Sequence, residues 1–193
     1  MTFQQEIGSW KTPKELTTFP VPEVGERAPT SSILQTPSTN GKPTIITFLR
    51  HCGCPFAEKT FQRFRKFAGK HTDINFVAVS HSDDEATEKW LISIGGCWEV
   101  QVVVDAGRET YAQWGLGVAN TWHVLNPWSL YSVYKLGKQE SIWNKPTESG
   151  NRWQMSGSFA VDEQGVVKWV RVAKSADDIP DFKDGLKALG REV

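Results

Sequence analysis

The chain has 193 residues, 39% of them hydrophobic, which suits a single domain able to bury one good core. Its 22 Lys and Arg balance 22 Asp and Glu, so charge recommends neither a nucleic-acid backbone nor an anionic membrane as partner. No apolar run approaches the roughly 20 residues that cross a bilayer, and Met1–Gly8 carries neither a basic nor an apolar signal region. The expected address is the cytoplasm. Three cysteines form no framework for a secreted scaffold and agree with a reducing compartment.

Residues 1–30 contain Pro13, Pro20, Pro22 and Pro29 with little periodicity, which predicts an extended N-terminal arm ahead of one domain over 31–193. Asn40-Gly41-Lys42-Pro43 is a turn. The apolar, β-branched run Pro43–Leu49 then reads as a buried strand. Arg50-His51-Cys52-Gly53-Cys54-Pro55-Phe56 follows, and beyond it Ala57, Phe61, Phe64 and Ala68 recur at helical spacing. Pro55 suits the first helical position, which puts Cys54 at the N-cap. There the unpaired N–H groups and the helix dipole favour an anion, and Arg50 and His51 add positive charge. A cysteine so placed can have its pKa lowered from about 8.5 to about 3.5–7.5. The competing reading is a small hydrophobe packed against the sheet.

Asp73–Ser80 predicts a second strand. Ser82-Asp83-Asp84-Glu85 matches a capping box, opening a helix with Trp90, Leu91 and Ile94 inward and Gly95-Gly96 as its stop. Glu99–Val104 is a third strand, and Asp105 caps a short helix bearing Tyr111 and Trp114, halted at Gly115. Residues 116–153, rich in Trp, Asn, Pro and Ser, have no clear period and predict a long ordered insertion. Ser158–Asp162 and Val166–Val172 form a hairpin joined by Glu163-Gln164-Gly165. Pro180 lies in the first turn of a last helix with Phe182, Leu186 and Leu189 on one face. Strand–helix–strand units imply parallel pairing, and the hairpin adds antiparallel strands. The fold class is α/β: a thioredoxin-like three-layer sandwich, its mixed central sheet flanked by helices, with a Trp-rich insertion.

Three segments resemble the peroxiredoxin-like branch of the alkyl hydroperoxide reductase and thiol-specific antioxidant proteins. They are Phe48–Phe56, Val104–Gly115, and Gly157–Gly165 followed by Asp177–Pro180. The resemblance implies that Cys54 is the nucleophilic cysteine. The family's form Phe-x-Cys-Pro-x-Cys has a second cysteine where Ala57 stands, whereas here Cys52 creates a Cys-Gly-Cys unit. Gly53 allows the sharp turn that a disulfide across so short a span demands, and Cys52 becomes the candidate resolving thiol. In the family's Pro-x-x-x-Thr-x-x-Cys pattern, Thr47 takes the place of the proline and His51 that of the threonine. Ser156 stands where the family has an arginine, with Arg152 and Arg50 as candidate substitutes. The cis-proline of thioredoxins has no counterpart in Trp153–Ser158.

The catalytic candidates are therefore Cys54, Cys52, Arg50 and His51, and Pro55, Trp122, Trp153 and Ser156 are candidate substrate contacts. Nine tryptophans leave two readings open, a core or oligomer interface and an aromatic-lined pocket. His71 ends a helix, where a cation suits the dipole, His81 and His123 are isolated, and Cys97 follows Gly95-Gly96 in a loop. Cys-x-Cys lacks the second half of a zinc site, and no phosphate loop or dinucleotide fingerprint occurs. The expected function is thiol-dependent oxidoreduction, as a peroxiredoxin-like enzyme or a disulfide reductase, on a small peroxide, disulfide or thiol. It needs no bound cofactor or metal, only an external thiol reductant such as glutathione or thioredoxin. A homodimer is compatible with the arm and the tryptophans. The alternative is a redox-silent protein that binds an organic ligand, or that uses Cys54 as a covalent nucleophile in small-molecule biosynthesis.

Overall fold

The computed structural model describes residues 3–14 and 16–192. A five-stranded sheet lies at its centre: β1 Thr44–Phe48, β2 Asn75–Ser80, β3 Val100–Val104, β4 Gly157–Val161 and β5 Val167–Val172. Its order is β3-β2-β1-β4-β5. β1 runs parallel to β2, and β2 to β3, while β4 is antiparallel to both β1 and β5. β1 is thus the middle strand, and all five of its residues are buried. A continuous β-branched run is what burial on both faces requires.

Seven helices accompany the sheet among the described residues: α1 Phe3–Trp10, α2 Pro55–Ala68, α3 Asp84–Ser93, α4 Glu109–Gln113, α5 Thr121–Leu125, α6 Pro127–Glu140 and α7 Phe182–Ala188. Strand alternation sends Ile45 to one face of the sheet and Ile46 and Phe48 to the other. Ile45 packs with Phe61 and Phe64 of α2, Trp90 of α3, and Phe182 and Leu186 of α7. On the opposite face Phe48 meets Tyr111 of α4 edge-on at 5.0 Å, and Trp114 lies 4.7 Å from Phe159. This is the expected thioredoxin-like sandwich of mixed sheet and flanking helices.

Several local expectations change. The arm is not extended throughout, because residues 3–10 form α1. Arg152 donates to Glu6 at 2.5 Å and to Ser9 Oγ at 3.0 Å, so long-range partners hold a segment whose own periodicity is weak. Beyond α1 the arm follows the sheet, with Gly25 N–H donating to the Val167 carbonyl and Val167 N–H to that of Glu26. Asp83, not Ser82, caps α3 by accepting from Ala86 N–H at 2.8 Å. Asp105 accepts from Glu109 N–H and Tyr111 N–H, while the residue before α4 is Arg108 in a left-handed conformation.

Residues 116–153 hold α5 and α6 instead of an irregular loop. Asn120 and Asn126 cap the two helices, and Pro127 opens the second. The chain leaves and returns through a short antiparallel bridge, in which Ala119 N–H donates to the Trp153 carbonyl and Met155 N–H to that of Gly117. The aromatics of this stretch do not gather into a core: Trp122 is 70% and Trp128 77% exposed.

Gly115 closes the tight turn after α4 at φ +74°, where a β-carbon would lie 2.6 Å from the backbone nitrogen of Val21. Gly115→Ala combines a left-handed strain with a backbone clash and should cost about 2–4 kcal/mol. A urea midpoint that does not fall would contradict this packing of the arm on the domain.

Candidate active site

β1 delivers the chain to the cysteine turn. Leu49 N–H donates to the Val79 carbonyl, extending the pairing one residue past the strand, and the Tyr111 hydroxyl donates within 2.7 Å of the carbonyls of Leu49 and Val79. Arg50, His51, Cys52 and Cys54 are all buried. Gly53 takes φ +108°, and a β-carbon there would lie 2.9 Å from the Lys145 carbonyl oxygen and 3.0 Å from that of Pro146. Only glycine fits a site that needs both a positive φ and so close a backbone approach. Lys145 N–H donates to the Gly53 carbonyl at 2.9 Å, fastening the segment 142–152 across the turn.

Cys54 is the N-cap of α2, with extended backbone, Pro55 at the first helical position and no side-chain hydrogen bond to the helix. Its thiol therefore stands at a helix start whose first amides lack an intrahelical acceptor. Both cysteines are free thiols, as is the partly exposed Cys97.

Cys52 faces a different environment. Its Sγ lies 3.7 Å from Ser80 Oγ and 3.8 Å from Thr87 Oγ1, and its N–H donates to Ser82 Oγ. Burial pushes the Cys52 thiol up from its ordinary value, against hydrogen bonds from these hydroxyls that pull it down. With Gly53 it lines a cleft of about 200 Å³ walled by α3 and by Lys145, Pro146 and Glu148.

Arg50 extends toward a second, small cavity of about 20 Å³, close to the room of one water molecule. Thr47, Phe56, Ala57, Thr60, Ser156 and Ser158 share its lining. Arg50 Nη2 donates to the Arg152 carbonyl at 2.7 Å, but Nε and Nη1 are buried without a partner. A buried guanidinium with unused donors is an anion or oxygen receptor in waiting. Arg152, the other candidate, is committed: its guanidinium binds Glu6 and Ser9 and lies over the Trp10 ring at 4.7 Å.

The expected positive charge of His51 is not supplied. Burial first, then the Arg50 and Arg152 guanidiniums, hold its pKa well below the ordinary histidine value. Its Nδ1 lies 3.0 Å from Thr147 Oγ1. Pro55 and Ser156 stand at the turn and at the Arg50 cavity. Trp122 lies apart on α5, and Trp153 packs edge-on against Trp10 with its Nε1 donating to the Trp10 carbonyl. Sequence reasoning missed Thr147 and the segment around it; Gly150 was the one local signal. That glycine has φ +87°, and a β-carbon on it would meet Ser82 Oγ at 2.7 Å and crowd His51 and His81. Among the described residues no cluster of His, Cys, Asp and Glu could hold a metal ion, and no helix is long and apolar enough to cross a membrane.

A family model described as AhpC/TSA antioxidant enzyme matches residues 58–175. The chain belongs to that family. The matched region begins at Glu58, after the cysteine turn, so it covers the scaffold of the site and not its thiols. Among solved structures, a peroxiredoxin-like protein from Aquifex aeolicus superposes with a TM-score of 0.61 at 15% identity, covering 90% of this chain and 89% of the other. The thiol peroxidase from Chromobacterium violaceum gives 0.59 at 14% identity, covering 90% of each chain. A cysteine-to-serine mutant of the peroxiredoxin 6 of Arenicola marina gives 0.59 at 12%, covering 87% of this chain and 72% of that one. At such identities the likeness is one of fold. Among curated proteins, none matches the chain.

One feature of this AhpC/TSA protein makes its stability depend on pH. His81 is buried, its Nε2 within 3.1 Å of the Asn151 backbone, and burial lowers its pKa to about 4. The unfolded chain, with histidine near 6.5, takes up the proton first as pH falls. Stability is therefore full above about pH 6.5 and declines toward pH 4, with about 2 kcal/mol from His81 lost by pH 5. His51 acts in the same sense. Urea midpoints should fall from pH 7.5 to pH 5, and the fall should shrink in His81→Gln; an unchanged slope would refute the assignment.

Proposed function

We propose that this chain is a thiol-dependent peroxidase of the AhpC/TSA family that works through Cys52-Gly53-Cys54. Cys54 is the attacking thiolate. Its sulfur bonds to one peroxide oxygen, the O–O bond breaks, and the other oxygen leaves with a proton as water or alcohol. The Cys52 thiol then displaces water from the Cys54 sulfenic acid, closing a disulfide. Two equivalents of an external thiol return both cysteines to the reduced state and leave as their own disulfide. The observation that carries this reading is Cys54 at the N-cap of α2 with Pro55 behind it, where thiolate and developing negative charge are favoured.

Arg50 supports the same reading. The family's late-strand arginine is replaced by Ser156, yet Ser156 and Arg50 line one cavity, and two Arg50 donors are unused. The guanidinium thus comes from the end of β1 instead of the start of β4. In this proposal it serves as the partner of the peroxide oxygens, a role worth about 10²–10³ in rate for a donor aimed at developing charge. His51, held neutral, is a positioning residue through its contact with Thr147.

Cys54→Ser should abolish peroxide consumption. Cys52→Ser should retain one stoichiometric turnover and lose the disulfide. Full activity in Cys54→Ser ends the proposal. Arg50→Met should slow oxidation of Cys54 by about 10²-fold, read by stopped-flow tryptophan fluorescence, with unchanged far-ultraviolet circular dichroism. Iodoacetamide labelling mapped peptide by peptide should show Cys52 reacting only at a pH above that of an ordinary thiol; ready labelling of Cys52 at neutral pH would contradict its buried resolving role.

A further inference from the structure

α6 departs from the order of an ordinary amphipathic helix, which turns its polar side to water. Ser129 and Ser132 point inward, donating to the Asp177 carboxylate at 2.5 and 2.7 Å, beside the buried Leu136. Outward stand Trp128, Leu130, Tyr131 and Tyr134, and α5 adds Trp122 and Leu125. Gly137 leaves room for the half-exposed Trp143 ring to lie on the same helix. Trp122 is 70%, Trp128 77%, Tyr131 63% and Tyr134 55% exposed, so these four rings alone present about 400–650 Å². The largest apolar patch of an ordinary monomer is about 300–600 Å², and patches of that size and above mark interaction surfaces.

Charge names the partner. The chain as a whole is balanced, but from Thr110 to Gln139 no Asp or Glu occurs. Lys135 and Lys138 stand exposed among the rings, Lys138 at 6.0 Å from the centre of the Tyr134 ring. Neither has a carboxylate partner among the described residues, and Glu140, the next acid along, is engaged by Lys59 of α2. A second copy laid on this face about a two-fold axis would set the same unpaired lysines against each other. An anionic phospholipid surface suits every part of it. Trp and Tyr favour the boundary between headgroups and acyl chains, leucine the acyl side, and lysine the anionic headgroups.

We propose that the outer face of α5 and α6 docks on an anionic phospholipid bilayer, with α6 lying in the plane of the interface. The contact is peripheral: the rings enter to the headgroup boundary while the lysines stay among the phosphates. The balanced charge of the whole chain hides this face, because its cations and its lack of acids are confined to one segment. The docking stands independently of the peroxidase reading. It brings α2, against which α6 packs, to the lipid side of the domain.

The test mixes the full chain with vesicles of phosphatidylcholine, either pure or with about one third phosphatidylglycerol, and reads flotation and tryptophan emission. The protein is expected to float with the anionic vesicles, with blue-shifted emission, and to be released by salt. Lys135→Gln and Lys138→Gln should each weaken partition about fivefold. Trp128→Ser, at an exposed position, should weaken it about tenfold or more, with unchanged circular dichroism. Failure to float, equal flotation with both vesicle types, or undiminished partition of Trp128→Ser overturns the proposal. A dimer in sedimentation equilibrium that Trp128→Ser dissociates, without flotation, overturns it too and assigns the face to a second copy.

Discussion

Everything at the site depends on the backbone turn at Gly53. Its left-handed conformation and its closeness to the carbonyls of Lys145 and Pro146 leave no room for a side chain. Within three residues that turn redirects the chain from the end of the middle strand to the start of α2. Cys52 is thereby left on the α3 side and Cys54 at the helix start. If the strand continued straight, the two sulfurs would share a face and the same surroundings. The turn gives neighbouring thiols unequal surroundings, Cys52 among the hydroxyls of Ser80 and Thr87 and Cys54 at the first turn of α2.

The electrostatics of the site rest on one cation. Arg50 is buried without a carboxylate partner, and its field, with burial, keeps His51 and His81 neutral. Arg152 shares in that field but is balanced by Glu6. An unbalanced buried guanidinium is costly, and it persists here because Tyr111, the Arg152 carbonyl and the sheet fix the backbone and one nitrogen around it. The cost amounts to stored affinity for whatever anionic or oxygen-bearing group completes its hydrogen bonds.

The sheet, α2 and the capping role of Cys54 were legible because they follow from local signals: a β-branched run, Pro55, and Phe61 and Phe64 at helical spacing. α6 was hidden although Asn126-Pro127 announced its start. Its outer face carries Trp128, Leu130, Tyr131 and Tyr134, all exposed, so apolar residues ring the helix and the period that marks an amphipathic helix vanishes. α1 and the segment around Thr147 were illegible for another reason. Their order comes from partners more than 90 residues away, such as Glu6 with Arg152 and Thr147 with His51, and no local window contains both halves of such a contact. His51 misled for the same cause: adjacency to cysteine suggested a cation, while burial by distant residues keeps it neutral.

The strand order also sets a sequence of events for the growing chain. β1 finds β2 within some thirty residues, but its other neighbour, β4, and the segment across the cysteine turn come about a hundred residues later. Contacts of such separation form late. During synthesis both thiols are therefore made early and sheltered last, emerging next to a half-built sheet with nothing yet drawn across them. The nascent protein passes through an interval in which these two neighbouring sulfurs depend on the reducing power of their surroundings.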